Sequence, residues 1–394
     1  MCRFLVRIAE PLVRSAPPMK LSQRRALCPS VVCGAAFALL AALAPNFADG
    51  VVGASGSSAG FAQMWSGSSW SVIPTSAVGG QPYRLNAVTC VSSALCFAVG
   101  NTKSPQQPVI EKWNGKKFKL VASPHLEAGG KLVSVSCVSA NSCFAVGHAV
   151  NTGPRHALIE QWNGTNWSEV KSPKSPNSAT FGSTTGTALT SISCTSANLC
   201  FAVGWTEADW PAQTALIEEW NGSTWSISSP DPTGGGQFWQ FDGVQCVSDG
   251  FCVAVGSSRA DDHEPTDTLI EQWNGTQWSL ISNQSPDTDF QSLSAVGCAS
   301  DQACFALGDA DTGPQQSEEQ LIEQWDGAGW TASPAPEQQF GPVAASCAAT
   351  NACFGIGSGV EQWNGAAWSV VSSPGGSLSG VSCVASLEFC VAVD

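Results

Sequence analysis

Charge is what this sequence has least of. Only 12% of its 394 residues are charged, and 31 acids against 17 Lys and Arg leave a net charge of −14. No basic stripe is present to neutralise phosphates, which argues against nucleic acid as a general partner. Histidine is almost missing too, with four copies scattered outside the cysteine pairs, too few to complete zinc sites there. Helical patterning is nearly absent beyond the leader. The one long apolar run, Val31 to Ala44, is shorter than a membrane span requires.

What recurs is tryptophan alternating with paired cysteine. Hairpins open at Trp65, Trp113, Trp162, Trp220, Trp273, Trp325 and Trp363, at a mean step of about fifty residues, the period of propeller-like repeats rather than of shorter solenoid coils. Between them stand Cys90/Cys96, Cys137/Cys143, Cys194/Cys200, Cys246/Cys252, Cys298/Cys304, Cys347/Cys353 and Cys383/Cys390, the last with one extra intervening residue. One copy, "LTSISCTSANLCFAVGWTEADWPAQTALIEEWNGSTWSISSP", contains four strand-length runs: A ("LTSISC"), B ("CFAVG"), C ("ALIEEW") and D ("WSISS"). Tight turns join A to B and C to D. Asn-Gly pairs such as Asn163-Gly164 and Asn274-Gly275 supply the positive backbone angles of a tight hairpin. Trp162 and Trp167 then share a face, diagonal across a two-residue loop or directly opposite across a four-residue loop. Phe118 replaces the second tryptophan in one copy.

Strand order matters at the ends. After a leader the chain opens on a C–D hairpin, "FAQMWSGSSWSVI", and it stops at Asp394, just after a strand B, "CVAVD". Two strands from each end complete one four-stranded blade, which removes open edges from a ring. The expected fold is all-β: a seven-bladed β-propeller over residues 61–394, with four-stranded blades and one disulfide per blade. Its last blade joins the N-terminal C–D strands to the C-terminal A–B strands. An innermost strand is crowded near the axis, and strand A accordingly carries small residues such as Ser134, Ser136, Ser191, Ser193, Gly297 and Ser382.

Residues 1–48 read as a leader, with Met19 an alternative start, and 49–60 as a linker. Arg24 and Arg25 precede the Val31–Ala44 run in the layout of a secretory signal peptide, with cleavage expected near Ala48 or Ala54. Of 17 cysteines, three lie in the leader and fourteen in the repeats, an even set in regular pairs that belongs to an oxidising compartment. Five intervening residues let the chain reverse between A and B, bringing the two α-carbons within disulfide range when the sulfurs face each other. Each such small loop contributes roughly 2 kcal/mol in the chain-entropy model. Metal binding, the rival reading of these pairs, ordinarily uses Cys-x2-4-Cys spacing or partner histidines. The mature chain is expected to be extracellular or surface-located, monomeric and without a membrane span.

The "LIEQWNG" hairpins alternating with "SC...CFAVG" segments resemble a class of secreted bacterial repeat proteins, over roughly residues 61 to 394. Kelch and galactose-oxidase-like propellers are more distantly similar in architecture. The resemblance implies a propeller and export, and no chemistry. The galactose-oxidase-like enzymes need copper-ligating tyrosine and histidine, and this chain has a single tyrosine, Tyr83, so copper-radical oxidation is disfavoured and no cofactor is expected.

Glu111, Glu160, Glu218, Glu271, Glu323 and Glu361 recur two residues before each tryptophan, with Gln63 in the first hairpin. A residue that obeys the repeat reads as a repeated hydrogen bond or salt link rather than a catalyst. Function is expected instead in the variable B–C and D–A connections, on the face opposite the uniform A–B and C–D turns. There Trp205, Glu207, Asp209, Trp210 and Trp239 break the repeat, and aromatic faces beside carboxylates suit sugar stacking with polar contacts to hydroxyls. The competing role for these rings is to cap the blade tops. Asp261, Asp262, Glu264 and Asp267 supply hard oxygens suited to calcium but lack the Asp-x-Asp-x-Asp-Gly spacing, so a solvated acidic loop competes with a metal site. Arg84, Arg155 and Arg259, the only arginines beyond the leader, read as separate loop residues.

Two function classes follow. A non-catalytic binding or scaffold protein would recognise carbohydrate or a surface protein through the variable face. A secreted propeller enzyme, hydrolase or lyase, would act on an extracellular polymer with loop carboxylates such as Asp209, Asp261 or Asp311. No nucleophile–base pair in the sequence supports the second.

Overall fold

Strand A alternates apolar with small residues and strand B is apolar throughout, so B is set up to be buried on both faces and A on one. In a computed structural model of the chain the described residues are 60–127, 129–149, 155–174, 186–207, 213–228, 238–260, 265–283, 290–311, 318–336, 341–384 and 389–394, and every regular element among them is a β-strand. The expected leader and all but the last linker residue lie outside this set.

The strands form six sheets, five four-stranded and one eight-stranded. In the unit that contains Cys194, strands Thr187–Ser196, Leu199–Glu207, Gln213–Trp220 and Trp225–Ile227 lie side by side in the order A, B, C, D. The eight-stranded sheet is this unit and the next, joined by a single parallel pair, Gln213 beside Phe238. Another sheet combines the two ends of the described chain. Ala62–Trp65 runs antiparallel to Cys390–Val393, and Phe61 and Asp394 exchange backbone hydrogen bonds of 3.0 and 2.9 Å. D strands are short, three or four residues, which limits the unpaired edge each presents.

Seven disulfides join strands A and B: Cys90–Cys96, Cys137–Cys143, Cys194–Cys200, Cys246–Cys252, Cys298–Cys304, Cys347–Cys353 and Cys383–Cys390. Each links directly opposed residues, and the α-carbons of Cys194 and Cys200 are 4.0 Å apart. These are the seven pairs expected from the sequence spacing. The strand-B members Cys96, Cys143, Cys200, Cys252, Cys304, Cys353 and Cys390 are at most 1% exposed. Strand B lies between A and C of its own sheet with a neighbouring sheet on each face, so these sulfurs belong to the apolar core. They are structural staples. Thiol exchange needs an accessible sulfur, which burial denies them.

The tryptophans of each C–D hairpin also sit directly opposite: Trp220 pairs with Trp225 across a four-residue loop. In that loop Gly222 takes φ 91°, and Asn221 Oδ1 accepts the backbone N–H groups of Ser223 and Thr224 at 3.0 Å. Asparagine therefore works through its side chain and glycine through its backbone.

Sheets are held to one another by aromatic rings. Phe144, on strand B of one sheet, packs against Trp220 and Trp225 of the next, with ring centroids 5.1 and 5.3 Å away. Phe354 meets Trp65 and Trp70 in the same way, both at 5.3 Å. Full burial of each phenylalanine contributes roughly 1.5–3 kcal/mol.

The small residues of strand A have a second role beyond fitting a crowded space. Their hydroxyls accept backbone N–H groups of the neighbouring strand A: Ser134 from Ile192, Ser191 from Val244, Ser346 from Cys383, and Ser382 from Cys90. Asn86 Nδ2 donates to Leu132 O, Gly243 lies against Ala295, and Gly297 lies against Ala345. Between these strands runs a cavity of about 340 Å³, and the strand-A cysteines Cys137, Cys194, Cys298, Cys347 and Cys383 line it. A bulge before the middle of strand A leaves one residue unpaired in five units: Asn86, Val133, Thr190, Asp242 and Ser294. All five line the cavity. The glycine that ends "CFAVG" fits this close approach, since a Cβ on Gly256 would overlap the carbonyl oxygen of Gln240 opposite.

Candidate functional site

Strand register determines which residues reach the end of the sheets where the variable connections lie. At the start of one strand A, Phe238 pairs with Arg259, Trp239 with Ser258 and Gln240 with Ser257. The parallel pair Gln213–Phe238 brings the preceding unit alongside, and a bridge between Thr266 and Phe290 brings the following one. Together they enclose a second cavity of about 550 Å³. Phe238, Trp239 and Phe290 contribute aromatic surface; Phe290 is 39% exposed, and Trp239 also packs on the core cluster beneath it.

Polar groups converge on the same space. Gln213 Nε2 donates to Gln240 Oε1 at 3.0 Å, and Gln240 Nε2 donates in turn to Asp242 Oδ2 at 3.0 Å and Oδ1 at 3.2 Å. Asp242 is the bulge residue of its strand and lines both cavities. Burial pushes its carboxyl up from 3.8 to about 6, against the opposing effect of the hydrogen bonds from Gln240. Across the cavity the Arg259 guanidinium lies over the Phe238 ring, 4.3 Å from its centroid. Aromatic faces, amides, an arginine and a carboxylate near neutrality can together stack on a ring and hydrogen-bond to its substituents.

Of the residues singled out in sequence, Trp239 lines this cavity. Trp205 lies one unit away, half-buried, with the Arg155 guanidinium 5.4 Å from its ring centroid. Glu207 pairs with Gln213, and its backbone N–H donates to Gly186 O at 2.7 Å. Asp209, Trp210, Asp261, Asp262 and Glu264 lie outside the described residues. Asp267, exposed on strand C, pairs with Ser258, and among the described residues no three His, Cys, Asp or Glu side chains converge as a metal site.

The chain aligns over 81% of its length, and 98% of the other, with YCF48 bound to D1 peptide, at TM-score 0.51 and 12% identity. Similar coverage, 77% of this chain and 84% of the other, relates it to an ulvan lyase of a polysaccharide lyase family, at TM-score 0.51 and 10% identity. A WD40 β-propeller domain of Doa1 aligns at TM-score 0.49 and 13% identity over 80% and 93% of the two chains. Of these neighbours, the Doa1 domain is described as a β-propeller. At such identities the likeness concerns fold alone. No protein-family model and no curated protein sequence matches the chain.

Gln213, Phe238, Gln240, Asp242, Arg259 and Phe290 were not among the residues expected from sequence to form a site. The signal for Asp242 was readable by aligning the units: it is the one acid among the five bulge residues. Phe238 sits beside the non-repeat Trp239 in "GQFWQFDG". Seven disulfides fit an oxidising environment, and among the described residues no helix is long and apolar enough to cross a membrane.

Proposed function

We propose that this chain is an exported, monomeric, non-catalytic binding protein, a seven-bladed propeller whose last blade unites the two chain ends and whose variable face takes a carbohydrate. Support for the ring is the unbroken succession of contacts between A strands, from Asn86–Leu132 round to Ser382–Cys90. The observation that carries the binding reading is the cavity of about 550 Å³ in which Phe238, Trp239 and Phe290 adjoin the Gln213–Gln240–Asp242 chain of hydrogen bonds. Trp205 and Glu207 extend the same face, with Asp209 and Trp210 close behind them in sequence, and aromatic rings beside carboxylates suit sugar hydroxyls. Screening the oxidised protein on an array of glycans and surface proteins tests this. Binding to one or more glycans that is lost in Trp239→Ala is the expected result. Binding only to proteins, or glycan binding indifferent to Trp239 and Phe290, would contradict it.

One observation favours an enzyme reading. Asp242, raised to about 6 inside that cavity, is poised for proton transfer near neutral pH. A polysaccharide lyase among the structural neighbours shares the architecture, at 10% identity. Turnover of an acidic polysaccharide abolished by Asp242→Asn, with binding retained, is the outcome that would replace binding with catalysis.

A further inference from the structure

The cations of this acidic chain are not dispersed around the sheets. Lys131 and His148 are cross-strand partners, Arg155 immediately precedes the adjoining strand C, His156–Trp162, and Arg84 occupies in the preceding unit the position that Lys131 holds in its own, each one residue before the leucine that precedes the bulge. Among the described residues none of the four makes an ion pair or a side-chain hydrogen bond. The Glu207 carboxylate and the Arg155 Cβ each lie against Gly186, and among the described residues Glu207 and Arg155 form no ion pair. Like charges this close oppose one another: burial, then Arg155 and Arg84, lower the Lys131 ammonium, and burial, then Lys131 and Arg155, bring His148 down to about 4. Arg155 is braced instead by the Trp205 ring.

Hydrogen-bonded neighbours connect this cluster to the cavity. The carbonyl of Arg155 accepts Thr187 N–H at 2.9 Å, Ala188 pairs with Trp205, Glu207 with Gln213, and Gln213 with Phe238, which lies under Arg259. One edge thus runs from the Arg84, Lys131 and Arg155 cations, past an aromatic ring, to the aromatic and amide cavity.

We propose that Arg84, Lys131 and Arg155, with the His148 imidazole beside them as a hydrogen-bond donor, form an anion subsite continuous with the glycan cavity, so that the preferred ligand is an acidic polysaccharide carrying carboxylate or sulfate groups. This rests on the glycan reading above and adds the ligand's charge. A lone phosphate or sulfate would use only the cluster, whereas a charged polymer spans cluster and cavity together.

The test titrates the full oxidised protein against polygalacturonate, dextran sulfate and neutral dextran and pullulan at low and high salt. Arg84→Gln with Arg155→Gln is compared with Lys116→Gln and Lys117→Gln, which remove equal charge from an exposed C–D turn at the opposite end of strand C. The expected result is tighter binding of at least one anionic polymer than of the neutral ones, weakened about tenfold or more by the arginine pair but not by the lysine pair. Polygalacturonate and dextran sulfate distinguish carboxylate from sulfate. Equal losses from the two pairs, or no loss from the arginine pair, overturn the subsite. Should the arginine variant fail to fold, wild-type salt dependence decides: anionic binding that does not fall with ionic strength overturns it. Neutral glycans bound as tightly as anionic ones, with Trp239→Ala still disruptive, would sink the subsite and leave the glycan reading standing. Absence of binding to all four polymers and to the wider array removes both.

Discussion

Ser172 Oγ donates a 2.7 Å hydrogen bond to Glu218 Oε1, and the two residues belong to consecutive sheets. Ser172 follows the D strand of one unit, and Glu218 lies buried on strand C of the next. The relationship recurs with varied chemistry. Ser123 donates to Glu160, Asn283 to Glu323, and the backbone N–H of Ser76 to Glu111, whereas Gln63 reverses the polarity and donates to Gly375 O. The repeated carboxylates are thus clamps between sheets.

Burial raises Glu160, Glu218 and Glu361 from 4.5 to about 7, because a charged carboxylate away from water is disfavoured more than one serine or amide bond compensates. A raised folded pKa means that the stabilising contribution is complete below pH 4.5 and disappears as pH climbs through about 7. Glu218→Gln, the residue type present at Gln63, should therefore stabilise the protein at pH 8 by about 1 kcal/mol or more and have little effect near pH 4. Denaturant unfolding of both forms across this range checks it; equal effects at the two pH values would contradict it.

The paired tryptophans differ in what their indoles do. Trp220 Nε1 donates to Ala197 O at 3.0 Å, whereas Trp225 Nε1 is buried with no partner. Trp220→Phe should cost about 1 kcal/mol more than Trp225→Phe. Phe118 already occupies the second position in one hairpin, 5.4 Å from Trp113. Urea midpoints of the two variants provide the comparison, and a larger loss at Trp225 would contradict the assignment.

Removing residues 61–73 should destabilise the protein by several kcal/mol, since Trp65 and Trp70 leave Phe354 and strand Cys390–Val393 loses one of its two neighbours. Thermal unfolding of a chain lacking this hairpin is the check. A melting temperature unchanged from that of the full chain would show that pairing of the ends contributes nothing.

The scaffold was legible because it repeats: tryptophans, cysteines and turn asparagines each satisfy one local geometry many times over. The choice between diagonal and opposed tryptophans was not, since Asn-Gly serves two loop lengths and only the pairing of Trp220 with Trp225 distinguishes them. The site was partly legible. Trp205 and Trp239 stood out as departures from the repeat, but Asp242 and Gln240 lie inside a strand, where a bulge leaves Asp242 unpaired beside both cavities. Arg84 and Arg155 looked separate because 70 intervening residues hide the packing of adjacent units.

Hydrogen–deuterium exchange of the oxidised protein, with and without the strongest binder from the glycan array, tests the division between scaffold and binding face most directly. Protection concentrated at the start of strand Phe238–Ser248, the end of Phe251–Arg259 and around Phe290, with the Asn-Gly turns unchanged, is the predicted result. Protection confined to the C–D turns, or spread evenly over all the sheets, would contradict it.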